Sequence, residues 1–216
     1  MVMRRVSWSI GCAALIVAAA WWSLALASSA GISVADARSM PSLDAPGGLG
    51  LGLDLSARTR LLLQCQNAIA GSYSVGGAPA DTVALCGKLV EKMLQDTPVF
   101  GQAEFVAAAA AAAAGRWAEA RTHLARSRAL APGEAWLARN RADLLLRQSQ
   151  HWSQSDMELL QADLALLLES RSGLNWVAAN YVGKDALRPA VNRVLPAASP
   201  QQQARFLDAV TQIVGE

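Results

Sequence analysis

Apolar residues recur at three- and four-residue steps along most of the chain after residue 55, with charged residues between them. This spacing places apolar side chains on one face of an α-helix, so it predicts a series of short amphipathic helices. β-branched residues are sparse and no long alternating run is present, which favours an all-α fold. The predicted helices cover residues 56–70, 81–95, 103–114, 117–131, 135–148, 155–172, 174–182 and 186–195, with a last one from residue 199.

The central stretch from Gly101 to Glu134 predicts a helical hairpin. Its first half is rich in alanine, which is the best helix former. Gly115 stands where the first helix must end, because glycine readily takes the left-handed conformation of a helix terminus. The second half restarts at once, and Pro132 stops it. The predicted inward face of the second helix consists of Trp117, Ala120, Leu124 and Ser127.

This stretch is similar to a tetratricopeptide repeat, whose period is about 34 residues. A second, degenerate copy begins at Ala135. The resemblance implies a short α-solenoid, in which tetratricopeptide-like helical hairpins stack over residues 56–216. Glu104 replaces an early tryptophan of the family pattern, and Ala107 and Ala111 replace large side chains, so the first helix pair should pack closely. The positions that match the family are Ala108, Gly115, Trp117, Ala120 and Pro132.

The resemblance also implies a surface for a partner. In this family the first helices of successive repeats line a concave face that takes a peptide or a helix. Alanines make such a wall shallow, which suits close approach of a partner helix, although the same alanines can serve only packing within the stack. The implied groove residues are Gln102, Phe105, Val106, Ala109, Trp136, Arg139 and Asn140.

The N-terminal segment predicts a membrane anchor. Arg4 and Arg5 precede residues 6–27, which carry no charge over about the length of a bilayer-spanning helix. This apolar run is longer than the ~7–15 residues of a usual signal-peptide core, so we expect a single uncleaved transmembrane helix within residues 1–30. The positive-inside rule then places the rest of the chain in the periplasm. The alternative is cleavage after Ala27, which would release a secreted soluble protein.

A flexible linker is expected between the anchor and the helical domain. Residues 35–55 hold two prolines and four glycines without any helical stripe. The chain therefore divides into an anchor at residues 1–30, a linker at residues 31–55 and a helical domain at residues 56–216.

Cys65 and Cys86 predict a disulfide. They fall on two adjacent antiparallel helices, in a segment that the predicted topology places in an oxidising compartment. Two buried free thiols are the alternative. A metal site that includes His123 or His151 has less support, because the spacing matches no known ligand motif.

The sequence offers little for catalysis. It contains two histidines, and no glycine-rich phosphate loop follows a predicted strand. We therefore expect no enzymatic activity, no cofactor and no metal. The net charge of +2 argues against a general nucleic-acid binder, which would need a basic surface. Arginines are frequent in the central hairpins, where they solvate outer helix faces or, as the alternative, bind an acidic partner.

These expectations describe an adaptor or scaffold. The chain is expected to lie in the inner (cytoplasmic) membrane as a single-pass protein and to bind protein partners of the cell envelope through its periplasmic domain. The resemblance suggests assemblies for polysaccharide export, secretion or cytochrome maturation. The alternatives are a secreted soluble binding protein and a small-ligand carrier. A carrier would need a closed apolar pocket, which Trp152, Trp176 and Tyr181 are placed to line.

Overall fold

A computed structural model describes residues 55–72 and 80–215 of the chain. These residues form nine α-helices and no strand, so the predicted all-α fold is confirmed for the described ranges. No helix within them has both the length and the apolar character that a bilayer crossing requires. The predicted anchor and almost all of the predicted linker lie outside the described residues. The helices are α1 (Leu55–Ser72), α2 (Ala80–Asp96), α3 (Gly101–Ala113), α4 (Trp117–Leu130), α5 (Ala135–Arg147), α6 (Gln154–Glu169), α7 (Arg171–Gly183), α8 (Arg188–Val194) and α9 (Pro200–Gly215).

Two compact units divide the chain within α1, between Gln64 and Cys65. In the first unit the structure describes only residues 55–64, where Leu61 and Leu62 are buried. The second unit contains the end of α1 and the helices α2 to α9.

The α3–α4 hairpin forms the centre of the second unit. Every residue from Gly101 to Ala112 is buried, because α2 and α4 both pack against α3. Gly115 has a φ of 75°, as expected for the turn glycine between the two helices. On α4, Ala120, Leu124 and Ser127 are buried, as predicted for the inward face of this helix, whereas Trp117 is only half-buried.

The later helices pack both against their sequence neighbours and against helices one further along the chain. α5 packs against α6, α7 packs against both α6 and α9, and α8 lies against α6. Short connections and antiparallel neighbours are the features expected of stacked helical hairpins. Membership of the tetratricopeptide family stays a prediction.

The start of α6 corrects one detail of the sequence analysis. The sequence Ser155-Asp156-Met157-Glu158 predicts a capping box with Ser155 as the N-cap, but Ser153 is the N-cap. The Ser153 hydroxyl accepts a bond from the Asp156 backbone N–H (3.3 Å), and the Asp156 carboxylate accepts one from the Ser153 N–H (2.7 Å). Arg121 of α4 also binds this carboxylate, at 2.8 and 3.0 Å, so the cap is tied to the neighbouring hairpin.

A buried ion pair joins α5 to α6. The Arg141 guanidinium donates two hydrogen bonds to the Asp163 carboxylate, at 2.9 and 2.6 Å, and both side chains are fully buried. Arg141 also donates to the hydroxyl of Ser127 on α4 (3.3 Å), and Arg128 lies 3.6 Å from Asp163. Burial raises the pKa of the Asp163 carboxyl, while the hydrogen bonds and charge of Arg141 favour its ionised form. The cluster therefore fixes the relative positions of three helices.

Gly173 is a position where the fold needs glycine. A Cβ added there would lie 2.3 Å from the backbone oxygen of Leu167 and 2.8 Å from the Ser170 hydroxyl. We expect Gly173→Ala to lower the free energy of unfolding by about 1–3 kcal/mol, as other overpacked sites do. Urea denaturation followed by circular dichroism measures this. Gly183→Ala is the matched control, because its Cβ meets nothing within 4 Å. Equal stability of the two variants would contradict the close approach.

Candidate functional site

A cleft of about 1080 Å³ opens along the α3–α4 hairpin. Since α2 and α4 both pack against α3, we call the α3 part of the cleft its floor and the flanking helices its walls. Alanines from the C-terminal half of α3 and the residue after it form the floor, and α2 supplies most of one wall. The floor consists of Ala107, Ala110, Ala112, Ala113 and Ala114, and the α2 wall includes Val83, Ala84, Gly87, Val90 and Leu94.

The cleft follows from the shortness of these side chains. A large residue at Ala107 or Ala110 would project into the space between α2 and α4, whereas a methyl group leaves it open. Gly87 on the α2 wall also leaves this space open, because it has no side chain and a Cβ added there would meet nothing within 4 Å. Ala107 is one of the positions where the sequence departs from the tetratricopeptide pattern, so this departure coincides with the cleft.

Charged side chains line the outer parts of the cleft. Lys88 and Glu91 lie on the α2 wall, and Arg116 and Glu119 lie at the start of α4. Arg116 donates a hydrogen bond of 2.7 Å to Glu119, and this bond lowers the pKa of the Glu119 carboxyl. Both partners are exposed, so the pair contributes little to stability. It keeps one cation and one anion together at the mouth of the cleft.

His123 is the one histidine that the structure places in the cleft lining. Its Nδ1 lies 2.5 Å from Oε2 of Glu104, whose side chain is only 5% exposed. Arg126 lies 4.0 Å from the other carboxylate oxygen. Glu104 is therefore a buried acid with an imidazole on one side and a guanidinium on the other.

Glu104 also lines a second, smaller cavity of about 380 Å³. Its other lining residues include Leu94, Pro98, Arg126 and Leu130. The Glu104–His123 pair thus contacts both cavities, with His123 facing the larger one.

The residues of the predicted partner groove do not all reach the surface. Gln102, Phe105, Val106 and Ala109 are at most 5% exposed, because α3 is covered by α2 and α4. They cannot line an open groove in this structure, and other alanines of α3 line the cleft instead. Trp136 and Arg139 of α5 are exposed and Asn140 is half-buried, so this second part of the predicted set remains accessible.

Cys65 and Cys86 form a disulfide that joins the end of α1 to α2, with Cα atoms 5.6 Å apart. Both side chains are fully buried. The bond fixes α2, which is one wall of the cleft.

Most arginines of the central hairpins form ion pairs with carboxylates. Arg147 binds Asp143 at 2.8 Å, and the ion pairs of Arg116, Arg121 and Arg141 are described above. Arg128 donates to the backbone oxygen of Pro132 and stays close to Asp163. These contacts support a packing and solvation role for the arginines in the described residues.

Two of the three aromatic residues suggested for a carrier pocket, Trp152 and Tyr181, contact other helices instead. The Trp152 indole donates to the backbone oxygen of Leu145 (2.8 Å), and the Tyr181 ring packs edge-on against Phe206 with centroids 5.4 Å apart. Among the residues that the structure describes, no group of three or more histidine, cysteine or acidic side chains is arranged to hold a metal ion.

Comparison with protein-family models, with curated proteins and with solved structures finds no match to this chain. The cleft and the residues that line it are therefore the features from which a function can be inferred.

Proposed function

We propose that this protein is a non-enzymatic adaptor of the cell envelope that binds a helical segment of a partner protein in the alanine-floored cleft. The observation that carries the proposal is the cleft itself, which combines an apolar floor with charged residues at its edges. The predicted anchor at residues 6–27 would hold the protein in the cytoplasmic membrane, and the domain would face the periplasm.

The size of the cleft suits a short helix. A helix about 10–12 Å across that rises 1.5 Å per residue fills roughly 120–170 Å³ per residue. The 1080 Å³ of the cleft therefore corresponds to about two turns. Larger aliphatic side chains on the partner would fill the space that the alanine methyl groups leave open. Burial of that apolar surface would supply most of the binding free energy.

Tethering would make a modest affinity sufficient. A domain held near the membrane by a linker meets a membrane-bound partner at an effective concentration that reaches the millimolar range for short flexible linkers. The adaptor would then keep its partner close to an envelope assembly without chemistry of its own.

A small-ligand carrier is the second candidate. The cleft volume of 1080 Å³ lies just above the usual range for small-molecule pockets, roughly 300–1,000 Å³. Saturable binding of an apolar dye such as Nile red, with no selectable peptide binder, would favour the carrier.

Peptide selection on the full chain tests the proposal. A library of 14-residue peptides is displayed and selected on the full-length protein held in lipid nanodiscs. We expect binders with large aliphatic residues at helical spacing, because only these present one apolar face to the alanine floor. Failure to select any binder would contradict the proposed function.

Gly87→Leu is expected to weaken these selected peptides at least tenfold, because the new side chain projects into the open cleft. The fold should tolerate the change, since glycine inside a helix is about 1 kcal/mol less favourable than alanine. Gly183→Leu is the control: it also adds a side chain where a Cβ meets nothing within 4 Å, but Gly183 does not line the cleft. Fluorescence anisotropy gives the affinities. Unchanged binding to Gly87→Leu would place the site elsewhere.

A further inference from the structure

The α2 wall of the cleft presents its residues in two parallel stripes. Each stripe repeats at steps of four, three and four residues, and the second stripe lies one residue after the first. This is the spacing at which one helix of a coiled coil contacts another helix along its length. The inner stripe is Val83, Gly87, Val90 and Leu94, and the outer stripe is Ala84, Lys88, Glu91 and Gln95.

The α4 wall has a similar spacing. Its cleft residues are Arg116, Glu119 and His123, at steps of three and four residues. Short connections join α2 to α3 and α3 to α4, so these neighbours run antiparallel, and α2 and α4 run in the same direction. An extended strand would offer side chains to one wall only at every second residue, whereas a helix offers them at steps of three and four. The spacing of both walls therefore fits a helix as the occupant.

Lys88 and Glu91 are the charged members of the outer stripe. Both are exposed, and three residues separate them by about 4.5 Å of rise along α2. Within the part of the chain that the structure describes, neither side chain takes part in an ion pair or a hydrogen bond. On the α4 wall, by contrast, Arg116 already donates a hydrogen bond to Glu119. The formal charges that the two walls leave available to a partner are therefore those of Lys88 and Glu91.

We propose that the partner helix carries an acidic residue opposite Lys88 and, about one turn further on, a basic residue opposite Glu91. An acid that precedes a base by four residues also stabilises the partner's own helix. With this order the partner runs parallel to α2. The two charges set its orientation and exclude segments with the wrong charges, while the apolar stripe supplies the buried surface. This inference rests on the proposed function, because it assigns the chemistry of the segment that the cleft binds.

An exchange of charges between protein and peptide tests the inference. The protein variant is Lys88→Glu, Glu91→Lys, which reverses both charges and keeps the net charge of the chain. The probes are a peptide selected on the unmodified protein and the same peptide with its acid changed to lysine and its base changed to glutamate. The matched control is Lys92→Glu, Asp96→Lys, because these two residues are exposed on the same helix and do not line the cleft. All proteins are full chains in lipid nanodiscs, and circular dichroism checks their folding.

At low salt we expect the unmodified protein to bind the selected peptide roughly tenfold more tightly than the charge-reversed peptide. Two attractive contacts become two repulsive ones, and each exposed pair changes an equilibrium constant roughly twofold to fivefold. The variant Lys88→Glu, Glu91→Lys should show the opposite preference, and the control should keep the original one. At about 1 M salt, where the Debye length is about 3 Å, every preference should fall to within about twofold.

The same preference in the unmodified protein and in the variant Lys88→Glu, Glu91→Lys would overturn the inference. Selected peptides that lack an acid and a base at this spacing would overturn it as well. The two proposals fail in different ways. If Gly87→Leu leaves binding of the selected peptide unchanged, the cleft is not the site and the proposed function fails with the inference. If Gly87→Leu blocks binding but the exchanged charges leave the preference unchanged, the cleft binds a helix that Lys88 and Glu91 do not select.

Discussion

Arg141→Met is expected to lower the free energy of unfolding by about 3–5 kcal/mol, because it leaves the Asp163 carboxylate buried without its partner. Both side chains are fully buried, and Arg141 supplies two of the hydrogen bonds to Asp163. Arg128, at 3.6 Å, is too far away to replace them. The loss also removes the bond from Arg141 to Ser127, so α4, α5 and α6 lose a common contact. Urea denaturation of the full chain measures the effect.

The double variant Arg141→Met, Asp163→Leu is the matched control. Burying an ion pair costs desolvation of both charges, so replacing the whole pair with apolar side chains of similar size is often neutral or stabilising. The raised pKa of the Asp163 carboxyl points the same way, because it shows that burial works against the ionised form. We expect the double variant to regain most of the lost stability. If it is as unstable as the single variant, the charge left unpaired is not the cause.

Removing the disulfide by Cys65→Ala and Cys86→Ala is expected to cost about 3 kcal/mol, the chain-entropy value for a closed loop of this size. The two cysteines are 21 residues apart in sequence. Each replacement also removes a fully buried sulfur atom, which adds a smaller loss of packing. Urea denaturation under oxidising conditions compares the variant with the unmodified protein.

Measurements on the reduced protein distinguish the contribution of the covalent bond to stability from the contribution of packing. Dithiothreitol should bring the unmodified protein close to the stability of the double variant and should leave that variant unchanged. Because α2 forms a wall of the cleft, we also expect weaker peptide binding after reduction. Equal stability of the oxidised and reduced protein would contradict a stabilising disulfide.

The helices were predictable because their signals are local. Gly115 ends α3 since glycine tolerates a positive φ. The sequence Ser199-Pro200-Gln201-Gln202 predicts a capping box at the start of the last helix, and Ser199 and Gln202 exchange the hydrogen bonds of such a box at the start of α9. Where two caps compete, local spacing is less decisive. Ser153 rather than Ser155 caps α6, and the carboxylate of Asp156 accepts hydrogen bonds from both the Ser153 N–H and Arg121.

Packing between helices was less predictable. The apolar spacing places four residues on one side of α9, namely Phe206, Val210, Ile213 and Val214. Of these only Phe206 is buried, and Val214 is 68% exposed. The helix runs beyond the neighbours that cover its first turns. Periodicity shows which residues share a face, and it does not show how far the neighbouring helix extends.

The candidate site was predictable only in part. The sequence shows Glu104 and Ala107 as departures from the tetratricopeptide pattern, and these two positions form the contact with His123 and part of the cleft floor. It does not show that Glu104 reaches His123, because the two are 19 positions apart on different helices. It also does not show that Phe105 is buried while the cleft stays open along other residues of α3. Both depend on the distance and angle between helices, which side-chain volumes across the whole hairpin determine.

The most direct test of peptide binding in the cleft is a titration of the full chain with a selected peptide, monitored by nuclear magnetic resonance of the alanine methyl groups. If the cleft is the binding site, the largest shift changes will fall on Ala84, Ala107 and Ala110, which line it. The methyl groups of Ala138 and Ala190, buried on other helices, should shift little. Largest changes on α5 to α9, with the cleft alanines unaffected, would contradict the claim that the cleft binds a partner helix.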